Sequence, residues 1–277
     1  MISTNTIIVA TNFSSTANNA VSYAAQLAKA SGAKLILFNS FSLNPHSAHS
    51  LITADAMQKQ LEATTNKLEA KGAELANQYA ITVSCFCNYS FVDEQLAYLI
   101  DETKAGLVVM GMARRSFEQE LIGNSTTNVI KNIDIPVLAI PENAKFKENS
   151  KILYACDVLS LSAMKKFDWL RNLVGTIGGE IEIFSVEKTL DQLKQKNEEI
   201  LSNASFNEDF KAVKYVYKAV KSNTVIEAIH QEIEHYNADI LVMVPRKYGF
   251  WDSLIHKSKT RIMAAGLNIP LLSLPNF

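Results

Sequence analysis

Binding of an anion by backbone N–H groups is the chemistry that this chain's residues favour. Gly123-Asn124-Ser125 stands at the start of a helix-like stretch, STTNVIKN, beyond an apolar strand at Leu107 to Met110. N–H groups at a helix start attract an anion, and a glycine there lets a phosphate come close. Two further segments converge on the same place. The first strand ends in Ala10-Thr11-Asn12, the second near Ser40, and the fourth in Met110-Gly111. In an open parallel sheet, ligands bind at the carboxyl ends of strands, where the strand order reverses. Ala10, Thr11, Asn12, Ser40, Met110, Gly111, Gly123, Asn124 and Ser125 are therefore the candidate ligand-binding residues.

Other chemistries find no support. There is no G-x-S-x-G elbow, no Walker A sequence and no H-E-x-x-H, and no residue is assigned a catalytic role. Cys85 and Cys87 share one face of a strand, but no second cysteine pair completes a metal set. With Cys156 they read as buried core thiols, and no metal site is expected. His230 and His235 lie five apart on a helix and do not stack as i,i+4 ligands would. His46 and His49 fall in a polar loop, so the histidines read as structural or solvated. A net charge of −1 argues against a nucleic-acid partner. No run approaches the ~18 apolar residues of a membrane span. The opening MISTNTIIVATNF lacks a basic region before its apolar run, so no signal peptide is expected. A reducing, cytoplasmic setting follows.

The elements that would position the candidate residues alternate strand with helix. IIVA, from Ile7 to Ala10, is a short apolar run typical of a strand buried on both faces. Ser14 or Ser15 caps a helix with Ala17, Ala20, Val21, Ala24, Leu27 and Ala28 on its apolar stripe, and Gly32 ends it. KLILFNS is the second strand. The next helix sets Met57, Leu61, Leu68 and Leu75 on one side. AITVSCFC is the third strand, and Ser90 is expected to cap a helix carrying Leu96, Leu99 and Ile100. LVVM and PVLAI are the fourth and fifth strands.

This order occurs twice. Ala105 to Pro141 and Ala238 to Pro275 each run from an apolar strand through a basic loop, past a Ser and a helix, to Ile-Pro and a short apolar strand. TIIVATNFS and KILYACDVL open the two halves. A period above 100 residues marks a duplicated domain, because solenoid repeats are about 20–50 residues long. ENAKFKENS, from Glu142 to Ser150, is the linker, giving domains 1–145 and 146–277. The second half continues with ILYAC, a helix through Phe167 and Leu170, EIEIFSV, a helix around Leu190 to Leu201, AVKYVYKAV, a helix around Val225 to Ile233, DILVMV and IPLLSL. The expected fold is α/β: two tandem open parallel five-stranded sheets with helices on both faces.

Over both halves the chain resembles a tandem member of the universal stress protein family, an adenine-nucleotide α-hydrolase-like fold. The strand end V-A-T-N-F-S resembles the family's V-x-T-D-F-S. Met110-Gly111, Ile122-Gly123 and the tail NVIKNIDIPVLAIP resemble its Gly-x2-Gly-x9-Gly-Ser/Thr loop, its helix and its closing strand. Asn12 stands where the family has an Asp that contacts the base or sugar. Arg114 replaces the second glycine, eight residues rather than nine separate it from Gly123, and the hydroxyl moves to Ser125. Arg114 can donate to a phosphate or block the approach that a glycine allows.

The second half departs further. Val244 and His256 replace Gly111 and Gly123, and Pro245 follows the strand, while Asp157 keeps the family's strand-end Asp and Ser258 and Thr260 align with Ser125 and Thr127. Arg246, Lys247, His256, Lys257 and Lys259 form a basic loop that reads as a solvated face. The resemblance implies ATP or AMP as the ligand of the first half, with a stress-response role of ligand sensing or partner binding. The alternatives are a protein-interaction scaffold without nucleotide and, third, an ATP-using adenylating or slowly hydrolysing enzyme. The expected partner is another protein, of no identified kind. In this family the last strands lie at sheet edges, so PVLAI and PLLSL are expected to pair antiparallel within one molecule as a pseudo-dimer. A homodimer is the further option.

Overall fold

The computed structural model describes residues 5–41, 53–112, 124–155, 164–187, 214–244 and 268–275. They fall into two compact units, and the chain passes from the first to the second after Lys145.

Unit 1 alternates strand and helix: β1 (Thr6–Ala10), α1 (Ser15–Ser31), β2 (Lys34–Phe41), α2 (Ala54–Tyr79), β3 (Val83–Tyr89), α3 (Val92–Thr103), β4 (Leu107–Met112), α4 (Asn124–Asn132) and β5 (Val137–Pro141). The strand order is β3-β2-β1-β4-β5, and every pair is parallel. Right-handed crossovers from β1 through β3 put α1 and α2 on one face, and the step back to β4 and β5 puts α3 and α4 on the other. α1 accordingly touches α2, and α3 touches α4.

Local chemistry explains the helix ends. The Ser14 hydroxyl accepts from Ala17 N at 3.3 Å and caps α1, and Gly32 ends it at φ +66°. Ala17, Ala20, Val21, Ala24, Leu27 and Ala28 are all buried, and this small-residue stripe lets α1 lie close to β1, β4 and β5. On α2, Leu68 and Leu75 are buried, and Met57 and Leu61 are half-buried. The expected Ser90 cap is not formed. Phe91 holds the N-cap position of α3 without a side-chain cap, and Ser90 instead offers its carbonyl to Ser40.

Unit 2 contains β6 (Lys151–Ala155), α5 (Met164–Ile177), β7 (Glu180–Glu187), β8 (Tyr215–Lys221), α6 (Val225–Tyr236), β9 (Ile240–Met243) and β10 (Leu271–Ser273). Its order, β10-β9-β6-β7-β8, repeats that of unit 1, again with parallel pairs. The helix expected around Leu190 to Leu201 lies outside the described residues. The cores are the two-face-buried strands: Ile7, Ile8 and Val9 in β1, and Ile152, Leu153 and Tyr154 in β6.

Candidate functional site

In unit 1 the strand order reverses between β1 and β4, so their carboxyl ends flank the crevice of an open sheet. The two strands are paired as far as Val9 and Val109. Thr11 and Gly111 each lie two residues further on. The candidate residues at these two strand ends therefore face one region.

Thr11 is buried and fully engaged. Its N–H donates to the Phe38 carbonyl at 2.8 Å, its Oγ1 accepts from Phe13 N at 3.0 Å, and its carbonyl accepts from Asn39 Nδ2 at 2.6 Å. Asn12 is exposed, and its Oδ1 accepts from Ser14 N at 3.1 Å. Between them Phe13 has φ +62°, a left-handed backbone unusual for a bulky residue. Asn18 Nδ2 donates to the Phe13 carbonyl at 3.2 Å, and the Lys67 ammonium sits 4.1 Å from the Phe13 ring centroid. Ser40 Oγ donates to the Ser90 carbonyl at 2.6 Å, which ties the end of β2 to the segment after β3.

Met110 is buried in β4, and Gly111 follows it within the strand. A Cβ on Gly111 would stand 3.0 Å from the carbonyl C and O of Thr16 and 3.1 Å from Ala17 N. The first turn of α1 thus fills the space that a side chain would take. The Gly111 carbonyl accepts from Thr126 Oγ1 at 3.1 Å, which fastens the first turn of α4 to the end of β4. Asn124 is the first residue of α4, and Ser125 is exposed in that turn. Arg114 and Gly123 lie outside the described residues, as do Asp157, Pro245, the basic loop Arg246 to Lys259 and Thr260 of the second half.

The structure thus groups Ala10, Thr11 and Asn12 with Ser40, Met110 and Gly111 at the carboxyl ends of their strands. It adds residues that motif reading missed. Asn39 joins β2 to the end of β1, Thr126 anchors α4, and Lys67 of α2 lies over the ring of Phe13 just beyond the β1 end. A polar Asn inside the apolar run KLILFNS was the available signal for Asn39, whereas the Phe13–Lys67 contact has no sequence signature.

The thiols differ from expectation. Cys85 and Cys87 are half-buried on β3, the outermost strand of the unit 1 sheet, rather than in the core. Cys85 Sγ reaches the Leu68 carbonyl at 3.3 Å, and Cys87 Sγ reaches Asn39 Oδ1 at 3.7 Å. Burial raises both thiols above the ordinary cysteine value, with the Glu69 carboxylate adding to the effect at Cys85. Neither is poised as a nucleophile. Cys156 lies outside the described residues. Among the described residues no group of three or more His, Cys, Asp or Glu is placed to hold a metal, and no helix is long and apolar enough to cross a membrane.

Comparison with solved structures finds this architecture elsewhere. A universal stress protein from Archaeoglobus fulgidus superposes with a TM-score of 0.74 at 17% identity, covering 98% of each chain. A functionally unknown protein from Pseudomonas aeruginosa superposes with a TM-score of 0.58 at 16% identity, covering 99% of this chain and 93% of that one. At such identities the likeness concerns the fold alone. No curated protein matches the sequence significantly. The sequence model of the universal stress protein family matches residues 3–141, the stretch that supplies the strand ends, the glycine-bearing loop and α4. With that match over half its length, and with the family's α/β fold in the structure, this chain belongs to the universal stress protein family.

Proposed function

We propose that unit 1 binds an adenine nucleotide at the carboxyl ends of β1 and β4, and that the protein serves as a ligand-responsive component of a cytoplasmic stress response. The observation that carries this reading is the meeting of three features at one strand-order reversal. These are the β1 end Ala10-Thr11-Asn12, the β4 end Met110-Gly111, and the start of α4 held to Gly111 by Thr126. A helix start facing such a crevice suits phosphate. The left-handed Phe13 adds support, since backbone strain of this kind clusters at ligand sites. Asn12, at the position of the family's Asp, would meet the base or ribose, and Ser40 at the end of β2 offers a further hydroxyl. Ser125, with Arg114 and Gly123 of the preceding loop, would meet the phosphates. Mass spectrometry of nucleotide released from the purified, denatured protein tests the reading. ATP or AMP at near one equivalent supports it, and absence of nucleotide together with no binding of added ATP refutes it.

A second reading, a protein-binding scaffold without nucleotide, has one observation in its favour. The packing of α1 accounts for Gly111 with no ligand involved. Packing therefore requires a glycine at 111 whether or not phosphate binds, and the decision between the readings rests on the loop and on the start of α4.

A further inference from the structure

Among the described residues, one connected set of core positions is apolar in unit 1 and ionisable in unit 2. Strand register fixes the equivalence. Ile36 lies opposite Ile8 in unit 1, and Glu182 lies opposite Leu153 in unit 2. Phe86 pairs with Phe38, and Lys218 with Phe184. α3 and α6 each have 12 residues and each lead through a three-residue turn into the next strand, so Leu99 corresponds to Glu232. Unit 1 thus packs Ile36, Phe86 and Leu99 where unit 2 has Glu182, Lys218 and Glu232. Burial is alike: Ile36 and Leu99 are 8% and 4% exposed, Glu182 and Glu232 6% and 5%. The fold works with an apolar set at these positions, so the ionisable set answers a different need.

The groups in unit 2 are closely joined. Glu232 Oε2 lies 2.6 Å from Lys218 Nζ, and its Oε1 lies 3.0 Å from His235 Nδ1. Lys218 Nζ is 3.5 Å from that same ring nitrogen. Glu182 is buried beside Glu232, close enough for the two carboxyls to act on one another, and its Oε1 has no hydrogen-bond partner among the described residues. The other charged groups here are engaged elsewhere. On β7, Glu180 pairs with Lys214 at 2.6 Å and with Lys151 of β6 at 3.9 Å. Lys151 also lies over the ring of Tyr236 of α6, and Asp239, ahead of β9, pairs with Lys147 at 3.0 Å. Lys218, with His235 when protonated, is the cation set against both buried carboxyls. Two carboxylates in contact cannot both stay ionised without a large penalty.

We propose that unit 2 contains a proton-sensing latch: one proton held within the Glu182–Glu232 carboxyl pair fastens α6 to β7 and β8, and its loss loosens that helix. The proton resides on Glu182, which donates to the Glu232 carboxylate. Deprotonation passes it to water or buffer and changes no other bond. Burial, then the charge of Glu232, pushes Glu182 up to about 7 from 4.5. Burial also opposes the charge of Glu232, but Lys218 together with His235 and Glu182 outweighs it and holds that carboxyl below the usual range. The sign follows from linkage. The folded value of Glu182 exceeds its unfolded one, so its contribution to stability is full below about pH 4.5 and is lost as pH rises through about 7. Within that window the opening equilibrium of α6 shifts by up to about ten-fold per pH unit. Glu232 acts in the opposite sense, and only below its ordinary range. The latch works whether or not unit 1 holds nucleotide.

Hydrogen exchange of the full chain, corrected for the intrinsic pH dependence of exchange, reads α6 directly, with α3 as the internal control. The expected result is an increase of about ten-fold or more in α6 opening between about pH 5.5 and 7.5, with α3 unchanged. Glu182→Gln keeps a neutral donor to Glu232 and should remove the dependence, as should Glu182→Ile, which installs the unit 1 residue. Should neither variant fold, a carboxyl carbon NMR titration of the wild type decides: a step for Glu182 near pH 7 supports the latch, and a step near pH 4.5 overturns it. A pH-independent α6 in the wild type, or a dependence that survives in folded Glu182→Gln, also overturns it, the latter by assigning the effect to His235 or another group.

Discussion

Replacing Gly111 with Ala should destabilise unit 1 in the complete absence of nucleotide. The new methyl would meet the Thr16 carbonyl C and O at 3.0 Å and Ala17 N at 3.1 Å. These are backbone atoms in the first turn of α1, so they cannot rotate out of the way. α1 cannot lift freely either, because Ala17, Ala20, Val21 and Ala24 are buried along its inner face. Overpacking of this kind costs about 1–3 kcal/mol. Exchanging Gly for Ala within a strand returns about 0.5–1 kcal/mol through the unfolded chain. The net loss is about 0–2.5 kcal/mol, centred near ~1.3 kcal/mol or about ten-fold in the opening equilibrium. Hydrogen exchange followed on α1 and β4 peptides is the suitable assay, since both tryptophans, Trp169 and Trp251, belong to the second half and report poorly on the first. Faster opening of α1 and β4, with β6 to β9 unchanged, is the expected outcome. Equal or slower opening would show that α1 yields easily and that Gly111 is not a packing glycine.

Two other substitutions probe the frame of the site. Asn39→Ala removes the donor to the Thr11 carbonyl and the acceptor for Cys87, leaving a buried carbonyl unpaired, so urea denaturation should show a loss of about 1–3 kcal/mol confined to unit 1. Asp239→Ala deletes the carboxylate that accepts from Lys151 N at 2.8 Å and pairs with exposed Lys147. Here the backbone bond dominates, the expected loss is about 1.5–3 kcal/mol, and 1 M salt should change it little because the exposed ion pair contributes little.

Much of the fold was legible in the sequence because its signals are local. β1 and β4 are short apolar runs, Ser14 and Gly32 bracket α1, and the alanine stripe announces close packing on a sheet. Ser90 misled, since a serine ahead of an apolar-periodic run satisfies the cap pattern, yet its carbonyl was needed by Ser40. The thiols of Cys85 and Cys87 looked like core because β3 reads as an apolar strand, and its place at the edge of unit 1 is a matter of topology. The candidate strand ends could be named from the order of elements alone. What Gly111 does there could not, because its neighbour is the backbone of α1, approaching from a different part of the chain. The Glu182–Glu232 pair was likewise invisible. EIEIFSV alternates as a half-exposed strand should, and only the docking of α6 on that face buries the second Glu.

Nucleotide binding by unit 1 is read by calorimetry of the full chain with ATP, comparing wild type with Gly123→Val. The expected stoichiometry is one ATP per chain. Gly123→Val should weaken binding by about ten- to a thousand-fold while circular dichroism shows the fold intact, since a branched side chain at the start of α4 removes one or two charge-assisted contacts of about 1.5–3 kcal/mol each. No heat of binding with the wild type, or unchanged affinity in a folded Gly123→Val, would contradict the claim and make the scaffold reading the better account.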